Sequence, residues 1–88
     1  MLRRADDFIK SGDLSSARLL LQRAAEAGSV QAALTLAGTF DPNVLAALGF
    51  QDSAADIAMA RVWYERAEQF GSSEAPRRLR QLANNALK

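Results

Sequence analysis

Residues 17–29 read ARLLLQRAAEAGS, and residues 60–72 read ARVWYERAEQFGS. The second stretch restates the first 43 positions later, and the restatement decides the fold. Asp13–Leu36 aligns with Asp56–Leu79 without a gap. Nine positions are identical: Asp13/Asp56, Ala17/Ala60, Arg18/Arg61, Arg23/Arg66, Ala24/Ala67, Gly28/Gly71, Ser29/Ser72, Ala32/Ala75 and Leu36/Leu79. Leu14/Ile57, Leu19/Val62, Glu26/Gln69 and Gln31/Glu74 are conservative pairs. Alanine richness alone does not place Asp, Arg, Gly and Ser in the same register. Self-similarity at a fixed period marks a repeat architecture.

Ala17, Leu20, Leu21, Ala24 and Gly28 fall at i, i+3, i+4, i+7 and i+11. Ala60, Trp63, Tyr64, Ala67 and Gly71 fall at the same spacing. This is one face of an α-helix. The alanines admit a neighbouring helix closely, and the larger residues fill the space beside it. Trp63 and Tyr64 therefore read as core, with the Tyr64 hydroxyl needing a polar partner or water. Gly28 and Gly71 suit the left-handed residue that ends a helix. Ser29 and Ser72 or Ser73 then serve as caps for the next helix, and Pro76 fits its first turn.

The helix that follows each copy has its own pattern. Ala32, Leu36, Ala37 and Phe40 recur as Ala75, Leu79, Arg80 and Ala83. Arg80 in place of Ala37 gives the last helix a polar outer face, as a capping helix requires. Upstream, Leu2, Ala5, Phe8 and Ile9 make a short amphipathic helix that Ser11 and Gly12 end and Asp13 follows as a cap. Between the copies, Asp41 and Pro42 read as a cap and first residue. Val44, Leu45 and Leu48 form one apolar side of a short helix stopped by Gly49. Ser53–Asp56 resembles a capping box with Asp in place of Glu. The pattern predicts helices over about 2–11, 14–27, 30–40, 43–48, 54–70 and 73–86.

Length and composition narrow the function. Eighty-eight residues make one small domain, which buries roughly 60–65% of its unfolded surface. The chain has no Cys and no His. That excludes a disulfide scaffold and a thiolate metal site, and removes the commonest general base. A net charge of +1 gives no strong pull toward nucleic acid or membrane. The opening MLRRADDFIK has no continuous apolar run, so neither a signal peptide nor membrane insertion by this segment is expected. Its five glycines are scattered singly, so no phosphate-cradling loop is expected. Asp6 and Asp7 are adjacent and point to different sides of a helix. Asp52 and Asp56 read as turn and cap rather than metal ligands. No catalytic, metal or cofactor residues are assigned.

Ala60, Trp63, Tyr64, Arg66, Ala67 and Gly71 together resemble the second helix of a Sel-one-like repeat, a bacterial-type relative of the tetratricopeptide repeat. Ala32, Leu36, Ala37 and Phe40 resemble the first helix of that repeat. Ala5, Phe8, Gly12, Asp13, Leu14, Ala17, Leu21 and Ala24 are similar to a tetratricopeptide hairpin. The resemblance spans about residues 2–83. It departs at the long Asp41–Ala55 connector, at Glu68 in place of a common alanine, and at Leu20 and Leu21 in place of an aromatic pair.

The expected fold is all-α: an α-solenoid of antiparallel helical hairpins, with about five main helices plus one short insertion helix. One domain is expected, with hairpins over about 2–28 and 29–71 and a capping helix over 72–88. The resemblance implies a non-catalytic scaffold for protein–protein interaction, often part of a longer protein, in bacterial cytoplasm or periplasm alike. A protein or peptide partner is expected on the first helices of the hairpins. The outward residues there are Asp6, Lys10, Gln31, Leu34, Thr35, Gly38, Glu74, Arg77, Arg78 and Gln81. Leu34 beside Gly38 offers a small apolar notch, unless Val44–Leu48 packs over it. Glu74 stands three and four residues before Arg77 and Arg78, a favourable ion-pair spacing.

The alternative is a homodimer through Leu2, Phe8 and Ile9. Nucleic-acid binding through Arg77, Arg78, Arg80 and Lys88 ranks lowest, because interleaved exposed aromatics are absent.

Overall fold

The computed structural model describes residues 2–86. Every regular element among them is helical: α1 (Leu2–Lys10), α2 (Leu14–Glu26), α3 (Val30–Gly38), α4 (Pro42–Ala47), a 3-10 turn (Asp52–Ala54), α5 (Ile57–Gln69) and α6 (Ala75–Ala86). The Leu2 side chain and Lys88, both invoked above, lie outside the described parts.

The ends of the elements follow from local chemistry. Asp13 caps α2 by accepting from the Ser16 amide at 3.1 Å, and Asp56 caps α5 by accepting from the Met59 amide at 3.1 Å. At the other end the Ser29 amide donates to Ala24 O and the Ser72 amide to Ala67 O. These bonds wrap around Gly28 and Gly71, whose φ values of 99° and 107° would strain any residue with a Cβ. Ser29 and Ser72 then accept from Ala32 N and Ala75 N, starting α3 and α6. Each of these pairs is related by the 43-residue offset.

One expectation is corrected here. Helix α5 begins at Ile57, not near residue 54. Ser53 lies in the 3-10 turn, so Ser53–Asp56 is not a capping box; Asp56 is itself the cap, as Asp13 is in the first copy. Asp41 and Pro42 do open the short helix, with Asp41 accepting from the Asn43 amide at 2.8 Å.

Packing follows chain order. Helix α2 lies against α1 and α3, α3 lies against α2 and α5, and α5 lies against α3 and α6. The seams are lined by alanine: Ala17, Ala25, Ala32, Ala33, Ala37, Ala60, Ala67 and Ala75 are fully buried. Leu21, Leu36, Trp63, Tyr64 and Leu82 fill the space around them. Small and large residues alternating across a seam bring helices to native packing density without voids. The Cα trace measures 34 × 29 × 16 Å. On α6 the buried residues are Ala75 and Leu82. Ala83, expected on the packing face, is exposed, because Leu82 lies two turns beyond Ala75 on the same side.

Candidate functional site

Helix α3 is apolar almost all round, so both of its sides are used. Ala32, Ala33, Leu36 and Ala37 face the core. Gln31, Leu34, Thr35 and Gly38, spaced i, i+3, i+4 and i+7, form the floor of an open groove of about 300 Å³. Asp6, Ile9 and Lys10 of α1 make one wall. Val44 of α4 and Leu48, its C-cap, make the opposite wall, and Arg78 of α6 reaches in at the end.

Seven of the ten residues picked out from sequence therefore converge: Asp6, Lys10, Gln31, Leu34, Thr35, Gly38 and Arg78. Glu74, Arg77 and Gln81 do not line the groove. Glu74 is instead committed to ion pairs with Arg77 and with Arg78, the latter at 3.1 Å. Those hydrogen bonds hold its carboxyl below the ordinary range, Arg77 contributing most. Gln81 is exposed, one turn beyond Arg78.

Of the two readings of the Leu34–Gly38 notch, the structure takes the one in which Val44–Leu48 packs over it. Gly38 is buried rather than open, because Val44 packs on it; a Cβ placed there would stand 3.5 Å from Val44 Cγ1. Leu34 is half-buried, so the notch is shallower than a bare leucine and glycine would make it.

The proposed dimer edge also differs: Phe8 and Ile9 are half-buried rather than open, and Ile9 belongs to the groove wall.

The α4 wall is the part that periodicity did not place. The sequence puts Val44, Leu45 and Leu48 on one apolar side. In the fold they separate: Leu45 is buried, Val44 covers Gly38, and Leu48 stays 52% exposed at the rim. A second hollow shares Ile9, Lys10 and Leu48 with the groove and runs past Ser11, Gly12 and Phe50.

The loop that carries α4 is closed at its base. The Asp56 amide donates to Phe40 O at 2.8 Å. Arg18, from α2, donates to Thr39 Oγ1 at 3.2 Å, to Thr39 O, and to Ala54 O at 2.9 Å. Its guanidinium also lies 4.0 Å from the Phe40 ring centroid, a cation–π contact. Burial holds the Arg18 pKa below its ordinary value, against a smaller upward pull from Asp56. From sequence Arg18 was only one of the nine identities; an arginine three residues before the Leu21 core position carries no signal of which carbonyls it will meet.

Behind the groove lies a buried polar chain. The Tyr64 hydroxyl donates to Asp41 Oδ2 at 2.7 Å, and both residues are fully buried. Arg78 Nη1 donates to the same hydroxyl at 3.4 Å, while Arg78 Nε and Nη2 hold Glu74. Burial, reinforced by the bond to Asp41, pushes the Tyr64 pKa well above that of an ordinary tyrosine. Burial pulls the Arg78 pKa down, but Tyr64 and Glu74 outweigh it and the net shift is upward. The sequence required a partner for the Tyr64 hydroxyl; that the partner is the cap of α4 follows only from the way α4 folds back.

Among the described residues there is no cluster of three or more acidic side chains able to hold a metal, and no helix long and apolar enough to cross a membrane. No protein-family model, curated protein or solved structure matches the chain.

Proposed function

We propose that this chain is a non-catalytic protein-interaction module. On this reading its helices are two and a half hairpins of a Sel-one-like solenoid, and its groove receives a short segment of a partner protein. The observation that carries the reading is the convergence of residues from α1, α3 and α6 on one groove. Those are alternate helices of the sequential packing, the ones a hairpin stack presents on a single surface. The matched ends of α2 and α5, 43 residues apart, support the hairpin reading. The groove has apolar walls at Ile9, Val44 and Leu48 with polar groups at Gln31, Thr35 and Lys10 between them. That mixture suits one or two side chains of a bound segment together with its backbone.

Selection from a displayed peptide library tests the reading. The protein should enrich a consensus, and Leu34→Asp combined with Gln31→Ala should lose at least tenfold in affinity for it while keeping its helical circular dichroism. Absence of any consensus, or equal binding by the variant, would end the proposal for this groove.

A further inference from the structure

Three elements meet at the Tyr64 hydroxyl: α5 supplies it, the α4 cap Asp41 accepts from it, and Arg78 of α6 donates to it. Two of these elements also line the groove, α4 through Val44 and α6 through Arg78. We propose that the groove's own Arg78 holds α4, which lines the groove, in place through the Tyr64 hydroxyl.

The segment that carries α4 is held at its base as a unit. Its base is closed by the Phe40–Asp56 backbone bond and by Arg18 gripping Thr39 O and Ala54 O. A surface loop whose ends meet and whose middle carries its own structure is a compact body. Helix α4 has six residues, too few to persist without tertiary support. That support consists of Leu45 in the core, Val44 over Gly38, and Asp41. Asp41 does two things at once: Oδ1 accepts from the Asn43 amide at 2.8 Å and orients the first turn, and Oδ2 accepts from Tyr64.

The chain of donors has a direction. Arg78 donates to the Tyr64 oxygen, and the Tyr64 proton goes to Asp41. A cation donating to a hydroxyl strengthens that hydroxyl as a donor in turn. A carboxylate arriving in the groove would compete for Arg78 and weaken the hold on Asp41. This consequence for a bound segment rests on the groove being the docking site; the coupling of Arg78 to α4 does not.

Amide hydrogen exchange on the whole, ligand-free chain tests the coupling. The reporters are the amides of Leu45, Leu48 and Phe50, which donate to Asp41 O, Val44 O and Leu45 O; amides in the middle of α2 are the control. Tyr64→Phe and Arg78→Met should each raise exchange at the reporters relative to the control, by about tenfold for Tyr64→Phe, the size expected for losing a hydrogen bond to a charged group. The double variant should exchange no faster than Tyr64→Phe alone, because Arg78 acts through the hydroxyl. Arg78 is part-buried and Met keeps most of its aliphatic stem, so Arg78→Met keeps the test decisive even where Tyr64→Phe unfolds the chain. A uniform rise across α2 and α4, unchanged reporters in Arg78→Met, or additive effects in the double variant would each overturn the proposal. Failure of peptide selection would leave this result standing, so the two ideas fail separately.

Discussion

Helices α2 and α5 each run thirteen residues between an aspartate cap and a left-handed glycine, in register at an offset of 43. Their ends are nearly interchangeable, but their sides are not. Arg18 reaches inward to three acceptors, whereas Arg61, its counterpart, stands exposed. Leu21 sits in a purely apolar setting, whereas its counterpart Tyr64 carries a hydroxyl to buried Asp41. Ala25 is fully buried, whereas Glu68 at the matching position is exposed. Caps and terminators act through hydrogen bonds a few residues apart, so a repeated sequence repeats them. What lies against the flank of a helix depends on segments 20 or more residues away, and those are not repeated. The loop carrying α4 lies against the first copy through Arg18 and against the second through Tyr64.

The largest test erases the difference in the core. Tyr64→Leu makes the second copy match the first at that position. It leaves Asp41 Oδ2 buried without its donor and should cost about 3 kcal/mol. A chain of this size has roughly 4–13 kcal/mol in total, so a thermal or urea melt reads the loss easily. A cost below about 1 kcal/mol would mean that Asp41 finds water and that the polar chain is not closed.

A second test compares the two arginines. Arg18→Ala removes the bonds that close the loop base and should cost about 2 kcal/mol, whereas Arg61→Ala should stay within about 0.5 kcal/mol, as exposed surface changes do. Equal losses in urea denaturation would show that Arg61 has a role the fold does not display.

The smallest effect sharpens the shared half of the comparison. Ser29→Ala and Ser72→Ala each remove one cap bond of about 3.1–3.2 Å and should each cost about 1 kcal/mol. Matched losses would confirm that the code acts locally. A clear inequality would mean that the flanks reach into the caps as well.

The helices were legible because helical patterning, aspartate and serine caps and terminating glycines are all written within a few residues of where they act. Much of the groove was legible too. Gln31, Leu34, Thr35 and Gly38 lie on the face of α3 left over once its alanine face is placed in the core, and Asp6 and Lys10 of α1 and Arg78 of α6 line the same groove. The rest was not legible. The sequence leaves two readings of Gly38, open or covered by Val44–Leu48, because nothing near residue 44 specifies which helix the loop folds onto. Glu74, Arg77 and Gln81 share with Arg78 the expectation of an outward position, but Glu74 precedes α6 and pairs with Arg77 and Arg78, and Arg77 and Gln81 do not line the groove.

By itself the sequence determined an all-helical chain of repeated elements with alanine-lined faces. The choice depends on hydrogen bonds and side-chain spacing within one or two helical turns. Only the tertiary structure decided that α4 folds back as a wall, that Arg18 closes its base, and that Tyr64 joins Asp41 to Arg78. Those contacts join residues 14 to 36 positions apart, and their partners are selected by which surfaces remain uncovered once the helices have packed.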